Sequence, residues 1–192
     1  MDMQGKRQLA ITQQQAWDAL NDPQMLKLCI PGCNAIEASG ENRYAITVAL
    51  KIGPLSAKFN GKIALENIQA PVSYAIAFDG QGGVAGFGKG TASVQLTPNA
   101  LGCELGYSVH ATVGGKVAQL GQRLIDGAAK SMAEDFFHRF DSQMQARYPQ
   151  AYATADSVAP VTPPSKGGLP GWVWVVAMVV VVIGVWGRRA LA

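Results

Sequence analysis

The hydrophobic pattern of this chain changes period once, near residue 115, and that change restricts the possible folds more than any other feature. Before it, apolar residues recur at every second position. Tyr44, Ile46, Val48, Leu50 and Ile52 form one run, Ala57, Phe59, Ile63 and Leu65 a second, and Tyr74, Ile76 and Phe78 a third. Ala92, Val94 and Leu96 follow, then Leu105, Tyr107, Val109, Ala111 and Val113. A period of two places such residues on one face of a pleated strand, and clean alternation marks an antiparallel sheet covered on one side only. After the change, Val117, Leu120, Leu124, Ile125, Ala128, Met132, Phe136, Phe140 and Met144 fall three or four apart, which is a helical stripe. One helix over about 116–147, stopped by Tyr148–Pro149, lying across one curved antiparallel sheet is an α+β architecture.

The N-terminal part supplies shorter elements. Lys6–Ile11 has the character of a strand. Thr12 and Gln15 stand at the spacing of a capping box, so a helix is expected over Gln13–Asn21. Asp22–Pro23 restarts a helix, with the acid as cap and the proline in the first turn. Met25, Leu26, Cys29 and Ile30 form its apolar side, and Pro31–Gly32 ends it.

Charge divides the chain differently. Of its 192 residues 15% are charged, and the net charge is +3; soluble proteins average about 25% charged residues. The excess lies late, in Lys166, Arg188 and Arg189 against Asp156, so residues 1–148 are nearly neutral. Nucleic-acid binding, which needs a basic face, is excluded as a reading of such a domain. The stretch Gly171–Gly187 is uncharged and apolar, with Trp172, Trp174 and Trp186 near its ends and Arg188–Arg189 after it. Extended by Leu169 and Pro170 it reaches roughly 28 Å as a helix, close to the hydrocarbon thickness of a bilayer. The expected organisation is a globular domain over 1–148, a proline-rich linker over 149–170, a transmembrane helix over 171–187 and a short tail over 188–192. With no apolar leader in the first residues, the domain is expected to stay in the cytosol and the tail to anchor it to the cytoplasmic membrane. Cys29, Cys33 and Cys103 are then expected as reduced, partly buried thiols.

The glycine-rich stretch Gly80–Gly90 fits neither phosphate-binding pattern. A P-loop would need a hydroxyl where Gly90 stands, and a dinucleotide fingerprint would need glycine at Ala85. Its parity is more informative. Gly80 and Gly82 continue the inward phase of Phe78, while Gly86, Gly88 and Gly90 continue that of Ala92. Two readings stay open: the glycines let the backbone bend or approach a neighbour, or they leave a cavity under the helix. A cavity would be lined by Phe59, Phe78, Gly86, Gly88, Leu105, Tyr107, Leu120, Leu124, Met132 and Phe136, with Met25, Leu26 and Ile30 as a gate. No charged residue falls in the inward phase of those strands, so the space suits an apolar small molecule. His110 is in the outward phase, and His138 shares the wet helix face with Glu134, Asp135, Arg139 and Asp141. No acid–base pair, triad or metal set is expected.

Four stretches together resemble the G-subunit family of carbon monoxide dehydrogenase, part of the START-like, Bet v 1-like (helix-grip) superfamily. They are LNDPQMLKLCIPGCNAIE (Leu20–Glu37), KIGPLSAKFNGKI (Lys51–Ile63), GQGGVAGFGKGTASVQLTP (Gly80–Pro98) and VGGKVAQLGQRLIDGAAKSMAEDFFHRF (Val113–Phe140). The resemblance implies a seven-stranded antiparallel sheet gripping the long helix around a hydrophobic cavity. It implies an accessory role, not catalysis, beside the subunits of a molybdenum-containing dehydrogenase at the membrane. It implies no covalent cofactor, and the superfamily's habit of carrying lipids and other apolar ligands leads us to expect a bound quinone or lipid. A ligand-free anchor or assembly factor is the alternative, and a cyclase or hydratase on the same fold is a further one.

Overall fold

The computed structural model describes residues 1–157. Seven strands form one sheet: β1 Asp2–Leu9, β2 Cys33–Gly40, β3 Arg43–Ile52, β4 Leu55–Gln69, β5 Ser73–Gln81, β6 Phe87–Asn99 and β7 Gly102–Gly114. Their order is β1-β7-β6-β5-β4-β3-β2, and every neighbouring pair is antiparallel. From β2 to β7 the chain is a meander whose tight turns are opened by Gly53 (φ 58°) and Asn42 (φ 54°). The strands β1 and β2 lie at opposite edges, so the segment joining them must cross the sheet. That segment carries α1 (Gln13–Leu20) and α2 (Pro23–Cys29). The helix α3 (Gln122–Arg147) lies along the same face. This is the helix-grip arrangement.

Local chemistry sets the helix ends. The capping box is present: the Gln15 amide donates to Thr12 Oγ1 at 3.2 Å, and the Thr12 amide donates to Gln15 Oε1 at 2.9 Å. Asp22 caps α2 by accepting from the Gln24 amide at 2.9 Å, and Pro23 fills its first turn, where no amide is needed. The long helix is shorter than its sequence pattern. Gly121, at φ 87°, interrupts it; Ala118–Leu120 forms a separate 3-10 turn, and α3 has 26 residues, about 39 Å in length.

At its other end the helical chain runs further than expected. Pro149 does not open the linker but begins α4 (Pro149–Ser157), a position a proline tolerates because a first-turn amide has no partner inside the helix. Ala151 and Tyr152 pack against the core. The rest of the expected linker, the expected transmembrane helix over 171–187 and the tail over 188–192 lie outside the described residues. Among the described residues no helix is long and apolar enough to cross a membrane.

The solid core occupies one end of the grip. There Leu9, Ile11, Ala16, Cys29, Leu96, Cys103, Phe140 and Met144 meet at 0–1% exposure. They join α1 and the C-terminal half of α3 to the sheet. The N-terminal half of α3 covers something else.

Candidate ligand chamber

Beneath the first turns of α3 a chamber of about 380 Å³ lies between helix and sheet. Strand parity builds its walls. Ile46, Val48, Leu50 and Ile52 come from β3, Phe59 and Ile63 from β4, Phe78 from β5, and Val109, Ala111 and Val113 from β7. Ile125, Ala128, Ala129 and Met132 close it from α3, one helical turn apart. Lys62 and Asp79 border it only through their place in the strands; both are exposed on the outer face. A wall of this kind offers burial and almost no hydrogen bonding.

The floor comes from the register. Ile46 pairs with Gly61, Gly61 with Gly80, Gly80 with Gly88, and Gly88 with Val113. Three glycines side by side across β4, β5 and β6 remove three side chains from the inner face. A Cβ on Gly88 would meet no atom within 4 Å, so this glycine borders empty space. Other glycines of the stretch do something different. A Cβ on Gly82 would strike the Phe59 ring at 2.5 Å, and one on Gly86 (φ 118°) would strike the backbone of Gly114 and Gly115. Both readings left open by the sequence are therefore realised, at different residues.

A second chamber of about 230 Å³ adjoins the first. Ile30 and Ile63 line both. Its remaining walls include Leu26, Leu65, Ile76, Val94, Leu105 and Phe136, together with Tyr44, Tyr74, Tyr107 and Asn21. The residues expected around a cavity thus divide. Ile30, Phe59, Phe78, Gly88 and Met132 line the larger chamber, and Leu26, Ile30, Leu105, Tyr107 and Phe136 the smaller. Four line neither. Met25 is buried in the solid core, and Gly86 is packed on Gly114 and Gly115. Leu120 precedes the helix because Gly121 breaks it, and Leu124 is 49% exposed. Other wall residues lie outside the expected set, among them the β3 row, Ile63, Val109, Ala111, Val113, Ile125, Ala128 and Ala129. The β3 row carries the same alternation as its neighbours, so its signal is present in the sequence. Phe87 borders the larger chamber although its parity points outward, and its ring lies over Gly114, its partner on β7.

One charged side chain stands on the inner face after all. In β1, Gly5, Arg7 and Leu9 oppose Tyr107, Leu105 and Cys103, so Arg7 faces α3. Its guanidinium lies 5.5 Å over the Phe137 ring, and its Nε is buried with no hydrogen-bond partner among the described residues. Asp141, expected on the wet face, is half-buried near it. Burial pushes the Asp141 carboxyl up, while Arg7 and a hydrogen bond donated by the Tyr152 hydroxyl at 3.4 Å pull it down. This group fastens β1, α3 and α4 together and lines neither chamber. His110 is on the outer face as expected, with Nδ1 2.5 Å from Asp2 Oδ1. A broad depression of about 720 Å³ also lies on that face; Arg43, Lys62, Asp79 and Lys89 line it in contact with water, so it offers no dry enclosure.

The cysteines are thiols. Burial pushes Cys29 up to about 11, and raises Cys33 and Cys103 as well. Since the thiolate is the nucleophile, iodoacetamide at pH 8 should alkylate half-buried Cys33 first. Cys29 and Cys103 should react only in denaturant, as peptide mass spectrometry would read. Equal labelling of all three in the native protein would contradict the packing. Among the described residues no group of His, Cys, Asp or Glu is placed to hold a metal ion.

The fold recurs in solved structures. A conserved protein of Geobacillus kaustophilus is 34% identical, with a TM-score of 0.72 over 77% of this chain and 97% of that one. Proteins of Thermus thermophilus (11% identity, TM-score 0.59, 77% of this chain and 99% of that one) and Mycobacterium smegmatis (16%, 0.58, 76% and 92%) share the fold. No curated protein sequence matches the chain. The sequence profile of one family, described as the G subunit of carbon monoxide dehydrogenase (CoxG), matches residues 5–145. That span contains the whole meander, both chambers' strands and nearly all of α3, and the chain belongs to this carbon monoxide dehydrogenase CoxG family.

Proposed function

We propose that this protein is a non-catalytic accessory subunit that holds a quinone in its apolar chamber and links a molybdenum-containing dehydrogenase of the carbon monoxide type to the cytoplasmic membrane. The observation that carries the ligand half is the chamber of about 380 Å³ floored by Gly61, Gly80 and Gly88. Of the three, Gly88 borders open space, whereas a Cβ on Gly61 would already meet Ile46 at 3.0 Å; a folded domain gains nothing from the space left at Gly88, since unfilled apolar space forfeits dispersion contacts and burial. A ligand restores both. Each buried methylene contributes about 0.8 kcal/mol, so an isoprenoid or alkyl tail suits the walls. Family membership supports the place beside the dehydrogenase, and the apolar stretch Gly171–Gly187 supports the membrane half.

Two measurements test the two halves separately. Organic extraction of the detergent-purified full chain should release a quinone visible by mass spectrometry; a chamber empty of any apolar molecule would defeat the carrier half. Ending the chain after Ser157, which keeps α4 and its packing, should move the domain and the dehydrogenase together into the soluble fraction. A dehydrogenase that stays on the membrane would defeat the linking half.

A further inference from the structure

The smaller chamber differs from the larger in one respect: it contains hydroxyl groups without partners. Tyr74 on β5 is 6% exposed, and its hydroxyl makes no hydrogen bond among the described residues. The hydroxyl is nevertheless not sealed in the packing, for among the described residues Arg7 Nε alone is a buried side-chain polar atom without a partner; the Tyr74 hydroxyl is therefore reachable and free to take a partner. Trp17 meets its ring edge-on at 5.4 Å and holds it in place. Tyr44 on β3 lines the same chamber, likewise without a hydrogen bond among the described residues. The two phenols are electrical neighbours, for Tyr44 adds to the rise that burial imposes on Tyr74. No Lys, Arg, Asp, Glu or His lines this chamber. Arg7 stacks on Phe137, one of the chamber's walls, but does not line the chamber itself, so a carboxylate or phosphate here would have no charged partner among the lining residues, at a cost far above that of a neutral group.

We infer that the smaller chamber is the head-group site: Tyr44 and Tyr74 donate hydrogen bonds to the neutral carbonyl oxygen of a ligand whose apolar tail occupies the larger chamber. Ile30 and Ile63, which line both spaces, mark the neck between head and tail. The site selects against fatty acids and phospholipids and in favour of ring ketones carrying an alkyl or isoprenoid chain. It rests on the carrier reading above, and it assigns to Tyr44 and Tyr74 a role that shape alone does not require.

The test compares two probes on the full chain in one detergent: decylubiquinone, which has the carbonyls, and decylbenzene, which has only ring and tail. Removing both hydroxyls with Tyr44→Phe and Tyr74→Phe keeps the ring volumes. Because the net contribution of a hydrogen bond to a neutral group is modest, the double variant should bind decylubiquinone roughly 10-fold more weakly. Its affinity for decylbenzene should stay within about twofold. The infrared carbonyl stretch of bound decylubiquinone should move up in the variant as the hydrogen bonds are lost. Equal weakening of both probes, or no change in either the affinity or the carbonyl band, would overturn the head-group site while leaving the carrier reading intact. Failure of the unaltered protein to bind either probe would overturn both.

Discussion

Gly88→Phe should abolish quinone binding while leaving the fold as stable as before, or more so. Gly88 sits on the inner face of β6, opposite Gly80, with φ outside the left-handed region and no atom within 4 Å of the position a Cβ would take. A side chain there meets no strain and projects into the larger chamber, which Gly88 lines. Glycine within a strand costs conformational entropy, and phenylalanine favours the pleated surface. The unfolding midpoint should therefore hold or rise by a few degrees. The phenyl ring takes space that a decyl tail would fill. Displacing four methylenes at about 0.8 kcal/mol each loses about 3 kcal/mol, so decylubiquinone should bind about 100-fold more weakly or worse. Retained affinity would place the tail elsewhere. Loss of affinity together with a lower midpoint would mean that the space is not empty.

Much of this site is legible in the sequence because strand parity is a strict rule. Once Tyr44–Ile52 and Leu105–Val113 are read as alternating strands, the inward residues follow without further information, and the structure places them on one face. The features that escape are those where parity is broken or the pattern is weak. The strand β2 has one buried residue, Ile36, and its pairing with β3 slips at both ends, between Cys33 and Ala35 and between Ala38 and Gly40. With bulges at each end no period of two survives. β1 starts earlier than Lys6, at Asp2, through alternation of Met3, Gly5 and Arg7, where a glycine and an arginine hide the inner face. Its glycine makes room for the Tyr107 ring, which a Cβ on Gly5 would strike at 2.6 Å. The start of α3 escapes because the helical spacing of Val117 and Leu120 continues through Gly121, whose backbone conformation spacing does not reveal. Tyr44 and Tyr74 belong to the inward apolar sets, and nothing in their spacing distinguishes a phenol that packs from one whose hydroxyl is left free in a chamber.

Gly90→Ala, two residues from the silent position, should be severely destabilising. Gly90 opposes Ala111 across the β6–β7 ladder and Phe78 across β5–β6. By sequence parity it is another inner-face vacancy. The structure makes it a point of backbone contact: a Cβ would overlap the His110 carbonyl oxygen and come within 2.8 Å of the Ala111 Cα. Both are main-chain atoms fixed by the ladder, so neither can rotate away as a side-chain tip would. Relief requires β6 and β7 to part where the sheet carries both β1 at its edge and the chamber wall. Overpacking of this kind costs about 1–3 kcal/mol, and more where backbone must move. Taking about 3 kcal/mol and the usual sensitivity for a domain of this size, the midpoint should fall by roughly 6–12 °C. Thermal unfolding of the full chain followed by circular dichroism would measure it. Because Ala adds one methyl where Phe at Gly88 adds a ring, the smaller change would do the greater harm. The order follows from what each Cβ meets, backbone at Gly90 and empty space at Gly88. A midpoint unchanged by Gly90→Ala would show that the strands are held less closely there than the register implies, and the division of this loop into bending and cavity-forming glycines would fail with it.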